Sequence, residues 1–165
     1  MQARATYDDA QLIVKLYEIR REERMRRARA WFSSSFRARS LDEMAALCPP
    51  GSDENTSYRM VTSYWEMVSS FVSTGVLNQE LFFQSGRELL VVWERMRDIV
   101  PALREQNSDS LAFSNLESVA REYIAYLERR SPGTYAASSS GSSTTRTMSS
   151  TGLAASPGTE VDPAW

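Results

Sequence analysis

The chain has 165 residues, 42% of them hydrophobic, and a net charge of -2, so it can bury one core and its bulk charge favours neither nucleic acid nor an acidic partner. It contains no histidine and a single cysteine, Cys48. That composition excludes Ser-His-Asp and Cys-His catalysis, histidine-containing zinc sites, the Glu-x-x-His pairs of di-iron bundles and any disulfide within the chain.

Thr6 or Asp8 is placed to cap a first long helix, expected over about 7–38. Leu12, Ile13, Leu16 and Tyr17 form an apolar patch on it, and Met25, Ala28, Trp31 and Phe32 continue a thinner one. Glu18, Glu22 and Glu23 lie three or four residues from Arg21, Arg26 and Arg27, the spacing of intrahelical ion pairs. Ser33, Ser34 and Ser35 weaken the helix before Arg39.

Ser40 and Glu43 have capping-box spacing and predict one or two helical turns, which Cys48-Pro49-Pro50-Gly51 stops. Val61, Tyr64, Trp65, Val68 and Val72 then recur at the spacing of one helix face, with Thr62, Glu66, Ser69, Ser70 and Ser73 opposite. Gly75 ends that run where a left-handed residue is wanted. Asn78 caps a short helical turn over 79–84, with Leu81, Phe82 and Phe83 inward.

Ser85 and Glu88 repeat the capping-box spacing before a run of Leu89, Val92, Trp93, Met96, Val100 and Leu103, in which Pro101 must kink the helix or start a new turn. The two runs on either side of the 79–84 turn are expected to fold back as an antiparallel pair. Residues 105–110 read as a loop. Ser114 and Glu117 give a third capping box before the face formed by Leu116, Val119, Ala120, Tyr123, Ile124 and Leu127. Pro132 and Gly133 terminate that helix, and the Ser-, Thr- and Gly-rich stretch 131–165 reads as a disordered tail.

The sharpest local feature is the arginine cluster Arg20, Arg21, Arg24, Arg26, Arg27 and Arg29. A basic helix face neutralises phosphates on nucleic acid or an anionic membrane surface, whereas the bland reading is a solvated face laced with ion pairs, interrupted here by Glu22 and Glu23. A third reading makes the helix an arm that docks a partner or a second copy, with Trp31 and Phe32 in the contact. Trp65 and Trp93 sit at core spacing. Capping accounts for Glu88 and Glu117, and a solvated face accounts for Glu66 and Glu94. Cys48 has no base beside it in sequence and reads as a small buried hydrophobe. The tail serines are candidate modification sites, and Val161-Asp162-Pro163-Ala164-Trp165 is a candidate recognition segment.

Trp65, Gly75, Leu77, Phe82, Trp93, Pro101 and Arg104 follow a pattern of aromatic-rich helix, Gly-Val-Leu turn and Trp-containing helix ending near Pro and Arg. In this the middle third of the chain resembles a group of small bacterial helical proteins known only as a domain of unknown function. The resemblance implies a helical fold and no activity, and leaves the basic first helix and the tail outside it.

The expectation is an all-α small helical bundle of about four main helices. It has a long, basic N-terminal helix, a core over about 41–130 within a domain over 1–130, and a tail from 131. The expected role is a non-enzymatic, cofactor-free interaction protein, self-associating through its first helix at a surface containing Arg20, Arg21, Arg24, Arg27, Trp31 and Phe32. The alternative is binding to nucleic acid or an anionic membrane surface through the same arginines. No apolar run is long enough to span a bilayer, and 1–14 lacks the core of a signal peptide, so the expected location is the cytoplasm.

Overall fold

The computed structural model describes residues 4–133 and 135. Among them are eight helices and no strand: α1 Tyr7–Arg21, α2 Glu23–Ser35, α3 Leu41–Leu47, α4 Asp53–Ser73, α5 Gln79–Phe83, α6 Glu88–Met96, α7 Val100–Asn107 and α8 Ser114–Arg130. The all-helical expectation is met, with more helices than four. The four longest are α1, α2, α4 and α8. The expected tail lies outside the described residues, apart from 131–133 and 135.

The single helix expected over 7–38 is two helices. The backbone leaves the helical region at Glu22 (φ -56, ψ 140), and the Glu22 carboxylate then caps α2 by accepting the amide of Met25 at 3.0 Å. Neither glycine nor proline marks this break. Thr6 is the cap of α1, in a reciprocal box with Asp9. Pro101 starts a new helix: α6 ends at Met96 and α7 carries the proline in its first turn. Gly75 adopts the left-handed conformation (φ 77) just after α4.

Helix α4 is the axis of the bundle. Its apolar face, Val61, Tyr64, Trp65, Val68 and Val72, is buried throughout. Its most extensive packing is against α2 on one side and α8 on the other, with α6 also touching α8. Helices α2 and α4 run antiparallel. Phe36, just past the end of α2, lies over Tyr58 near the start of α4 at 5.3 Å, while Arg20, just before α2, lies over Trp65 at 5.3 Å. A stack of Phe32 on Phe36 (4.8 Å) and another of Phe83 on Tyr123 (4.4 Å) seal the two sides.

Charged side chains from one helix finish the ends of another. Asp9 of α1 accepts the amide of Asn78, the residue that caps α5, at 2.7 Å. Arg95 of α6 donates to the carbonyls of Phe36 (2.7 Å) and Ser33 (2.6 Å) at the end of α2. Glu66 of α4 accepts the amides of Asn115 (3.2 Å) and Leu116 (2.8 Å) at the start of α8. These are the orphan donors and acceptors that every helix end leaves. Capping-box spacing assigns the start of α8 to Ser114 and Glu117, but its N-cap residue is Phe113, in a left-handed conformation (φ 57) with no side-chain cap of its own.

Candidate interaction surface

The arginine cluster divides in two. Arg20 and Arg29 turn inward and close on Glu88 of α6. Arg29 Nε donates to Glu88 Oε1 at 2.7 Å, its Nη2 donates to Oε2, and Arg20 Nη2 reaches the same oxygen. Arg29 Nη1 also donates to the Arg20 carbonyl at 3.2 Å, bracing the corner between α1 and α2. Burial alone lifts the Glu88 carboxyl, but its bonds to Arg29 and the charge of Arg20 outweigh that and hold it below its ordinary value. Glu88 therefore does not cap its own helix; it anchors the first two helices. Tyr64, which donates to the Leu16 carbonyl at 2.9 Å, is pushed up to about 12 by burial.

Arg20 is sandwiched between Tyr17 (5.4 Å) and Trp65 (5.3 Å). Arg20 Nε and Trp65 Nε1 are buried without a hydrogen-bond partner, and both residues line a cavity of about 60 Å³ between α1 and α4.

Arg21, Arg24, Arg26 and Arg27 point outward and are exposed. Among the described residues none of the four has a carboxylate within ion-pair distance, so the intrahelical pairs expected with Glu18, Glu22 and Glu23 do not form. Glu18 pairs with Lys15 (3.0 Å) instead. Phe32 is 1% exposed and belongs to the core, as do Met25 and Ala28. Trp31 is half-buried against Phe32 and Phe36. Of the six residues picked out from sequence, Arg21, Arg24 and Arg27 thus lie on open surface, Trp31 at its margin, and Arg20 and Phe32 inside.

The first helix packs and does not project. Its inner face is Asp9, Leu12, Ile13, Leu16 and Arg20. Its outer face carries a second stripe that apolar-patch reasoning missed. Tyr7, Ala10, Val14, Tyr17 and Arg21 recur at spacings of three and four and are all exposed, with Tyr7 75%, Val14 54% and Tyr17 53% open. A 3-4-3-4 spacing on the solvent side of a helix is the pattern by which one helix docks on another. The spacing is present in the sequence, where Tyr17 also fits the inner patch.

A groove of about 880 Å³ runs between α3, α4 and the α7–α8 turn, lined by Tyr58, Arg59, Glu66, Met67, Leu103 and Phe113 among others. Its one carboxylate, Glu66, is engaged by the start of α8. Glu117 is held by Arg104 at 2.8 Å. Burial raises Glu94 above its ordinary value, and likewise Cys48, whose thiol donates to the Met44 carbonyl. Among the described residues no three His, Cys, Asp or Glu side chains converge as a metal site. No described helix is long and apolar enough to cross a membrane.

The profile of a protein family described as a domain of unknown function (DUF4760) matches residues 5–123. The chain belongs to this family. The match runs from the Thr6 cap into α8, so it takes in the basic first helix as well as the middle third. Neither a curated protein nor a solved structure matches the chain. The matched span takes in the α1–α2 corner, Glu88 and the outer stripe of α1.

Proposed function

We propose that this protein is a non-enzymatic helical interaction protein that self-associates through the outer face of its first helix. The observation that supports the reading is the exposed stripe Tyr7, Ala10, Val14, Tyr17 and Arg21 on a helix whose opposite face packs on the core. Large apolar side chains aligned on one exposed helix face mark a contact surface, whereas scattered ones need no explanation. The buried free thiol of Cys48 goes with a cytoplasmic setting.

The test is the mass in solution by light scattering. The intact chain is expected above the mass of one 18.7 kDa copy, and Val14→Glu at one copy with an unchanged helical spectrum. A single-copy mass for the intact chain up to about millimolar concentration removes the reading.

A second reading rests on Arg21, Arg24, Arg26 and Arg27, which are exposed and, among the described residues, have no carboxylate within ion-pair distance. Such a patch neutralises a polyanion, either nucleic acid or anionic lipid, with affinity that falls steeply as salt rises. Binding that survives both high salt and the charge reversal Arg24→Glu with Arg27→Glu excludes it.

A further inference from the structure

Resting on that reading, we infer that the self-association is a closed antiparallel pairing of two copies across α1, with Tyr7 of each copy opposite Tyr17 of the other and Ala10 opposite Val14. Two features of the stripe fix this arrangement.

The first is bulk. Along α1 the stripe runs large, small, medium, large: Tyr7, Ala10, Val14, Tyr17. The order reads nearly the same in both directions. Ala10 and Val14 let two backbones approach at the centre, and the tyrosines close both ends. A two-fold pairing requires such a surface, since each patch must complement itself.

The second is charge. Arg21 is the last stripe residue and is exposed, and among the described residues it has no carboxylate within ion-pair distance. A parallel pairing sets Arg21 against Arg21 and lays the two helix dipoles side by side in the same sense, like ends together. The antiparallel pairing puts Arg21 beside the tyrosine at the other copy's N-terminal end instead. Arg21 already lies over Tyr17 of its own helix at 6.0 Å. Ring and guanidinium together form a flat shelf on which a second tyrosine ring stacks. The helix is 15 residues long, about 22 Å at ~1.5 Å per residue. About three turns of contact, Tyr7 to Tyr17, bury less than the roughly 1,200–2,000 Å² of a standard stable interface, so the dimer is weak and exchanging.

The experiment mixes two single-cysteine additions, Ala10→Cys and Val14→Cys, at exposed positions that leave the fold intact by circular dichroism. Native Cys48 is 2% exposed, and the unaltered chain serves as its control. Under mild oxidation the mixture is expected to give a disulfide-linked dimer faster than either variant alone. Faster linking of each variant to itself overturns the antiparallel arrangement in favour of a parallel one. Absence of any linking while light scattering still reports dimers moves the contact to another surface and overturns the inference, leaving self-association standing. A single-copy mass throughout removes both.

Discussion

Arg29 meets Glu88 edge to edge across 59 residues of sequence, Nε on Oε1 at 2.7 Å and Nη2 on Oε2, and Arg20 shares the second oxygen. One carboxylate thereby holds two guanidiniums from either side of the α1–α2 corner. All three side chains are less than a fifth exposed. Removing Glu88 leaves two cations without a counter-ion, so Glu88→Ala is expected to cost about 3 kcal/mol and more than Arg20→Ala or Arg29→Ala. Replacing all three by apolar residues of similar volume is expected to recover most of that loss. Denaturant melts of the four variants decide it, and a Glu88→Ala cost below that of either arginine variant contradicts the arrangement.

The same carboxylate sets the acid limb of stability. Arg29 and Arg20 outweigh burial and depress Glu88 below 4.5, and the Thr6 hydroxyl, with the amides of Thr6 and Asn78, depresses Asp9 below 3.8. A depressed carboxyl stabilises the fold above its unfolded pKa and loses that contribution as pH falls through its folded one. The melting temperature is therefore expected to fall below about pH 4.5, with a shallower fall in Glu88→Gln. Glu94 has the opposite sign. Burial raises it, so its contribution is present at acid pH and fades as pH rises, and Glu94→Gln is expected to melt slightly higher at neutral pH.

Gly86 is held by lack of room. A Cβ there would stand 2.5–2.8 Å from ring carbons of Phe82, which is 4% exposed. Gly86→Ala is expected to cost about 1–3 kcal/mol through overpacking. Trimming the ring with Phe82→Leu makes the two changes non-additive, and a double-mutant cycle with no coupling rejects the account.

The N-terminal pair of helices cannot be deleted to test self-association. Leu16, Met25, Ala28, Phe32, Phe36 and Ala38 are all buried, so a chain lacking residues 1–38 is expected to lose cooperative unfolding. Phe32→Ala alone is expected to cost about 3–5 kcal/mol. Tyr7→Glu, on open surface, is expected to stay within about 0.5 kcal/mol of the parent. Thermal melts separate these three outcomes.

What periodicity encodes was legible in the sequence. The α4 face and the Leu89–Met96 and Leu116–Tyr123 faces are buried as their spacing requires, and Gly75, Asn78 and Pro101 punctuate the chain where their backbone chemistry places them. What partners encode was not. Glu66, Glu88 and Glu117 each looked like a local cap or a solvated acid, because capping-box spacing says nothing of an arginine 59 residues upstream or an amide 49 residues downstream. The α1–α2 break was hidden for the same reason. Glu22 is an ordinary helix former, and the corner is braced by Arg29 on the Arg20 carbonyl and by Glu88. The outer stripe of α1 was within reach, since its spacing is as regular as that of the core, but only the packed inner face reveals which stripe is left over.

The borrowed start of α8 couples two events along the chain. With its first free amides satisfied by Glu66 of α4, the last helix lacks an ignition point of its own, and at 17 residues it sits near the length where a lone helix is marginal in water. Its winding and its arrival on α4 become one step. Residues 114–130 are therefore expected to become fully helical only once α4 is there to receive them.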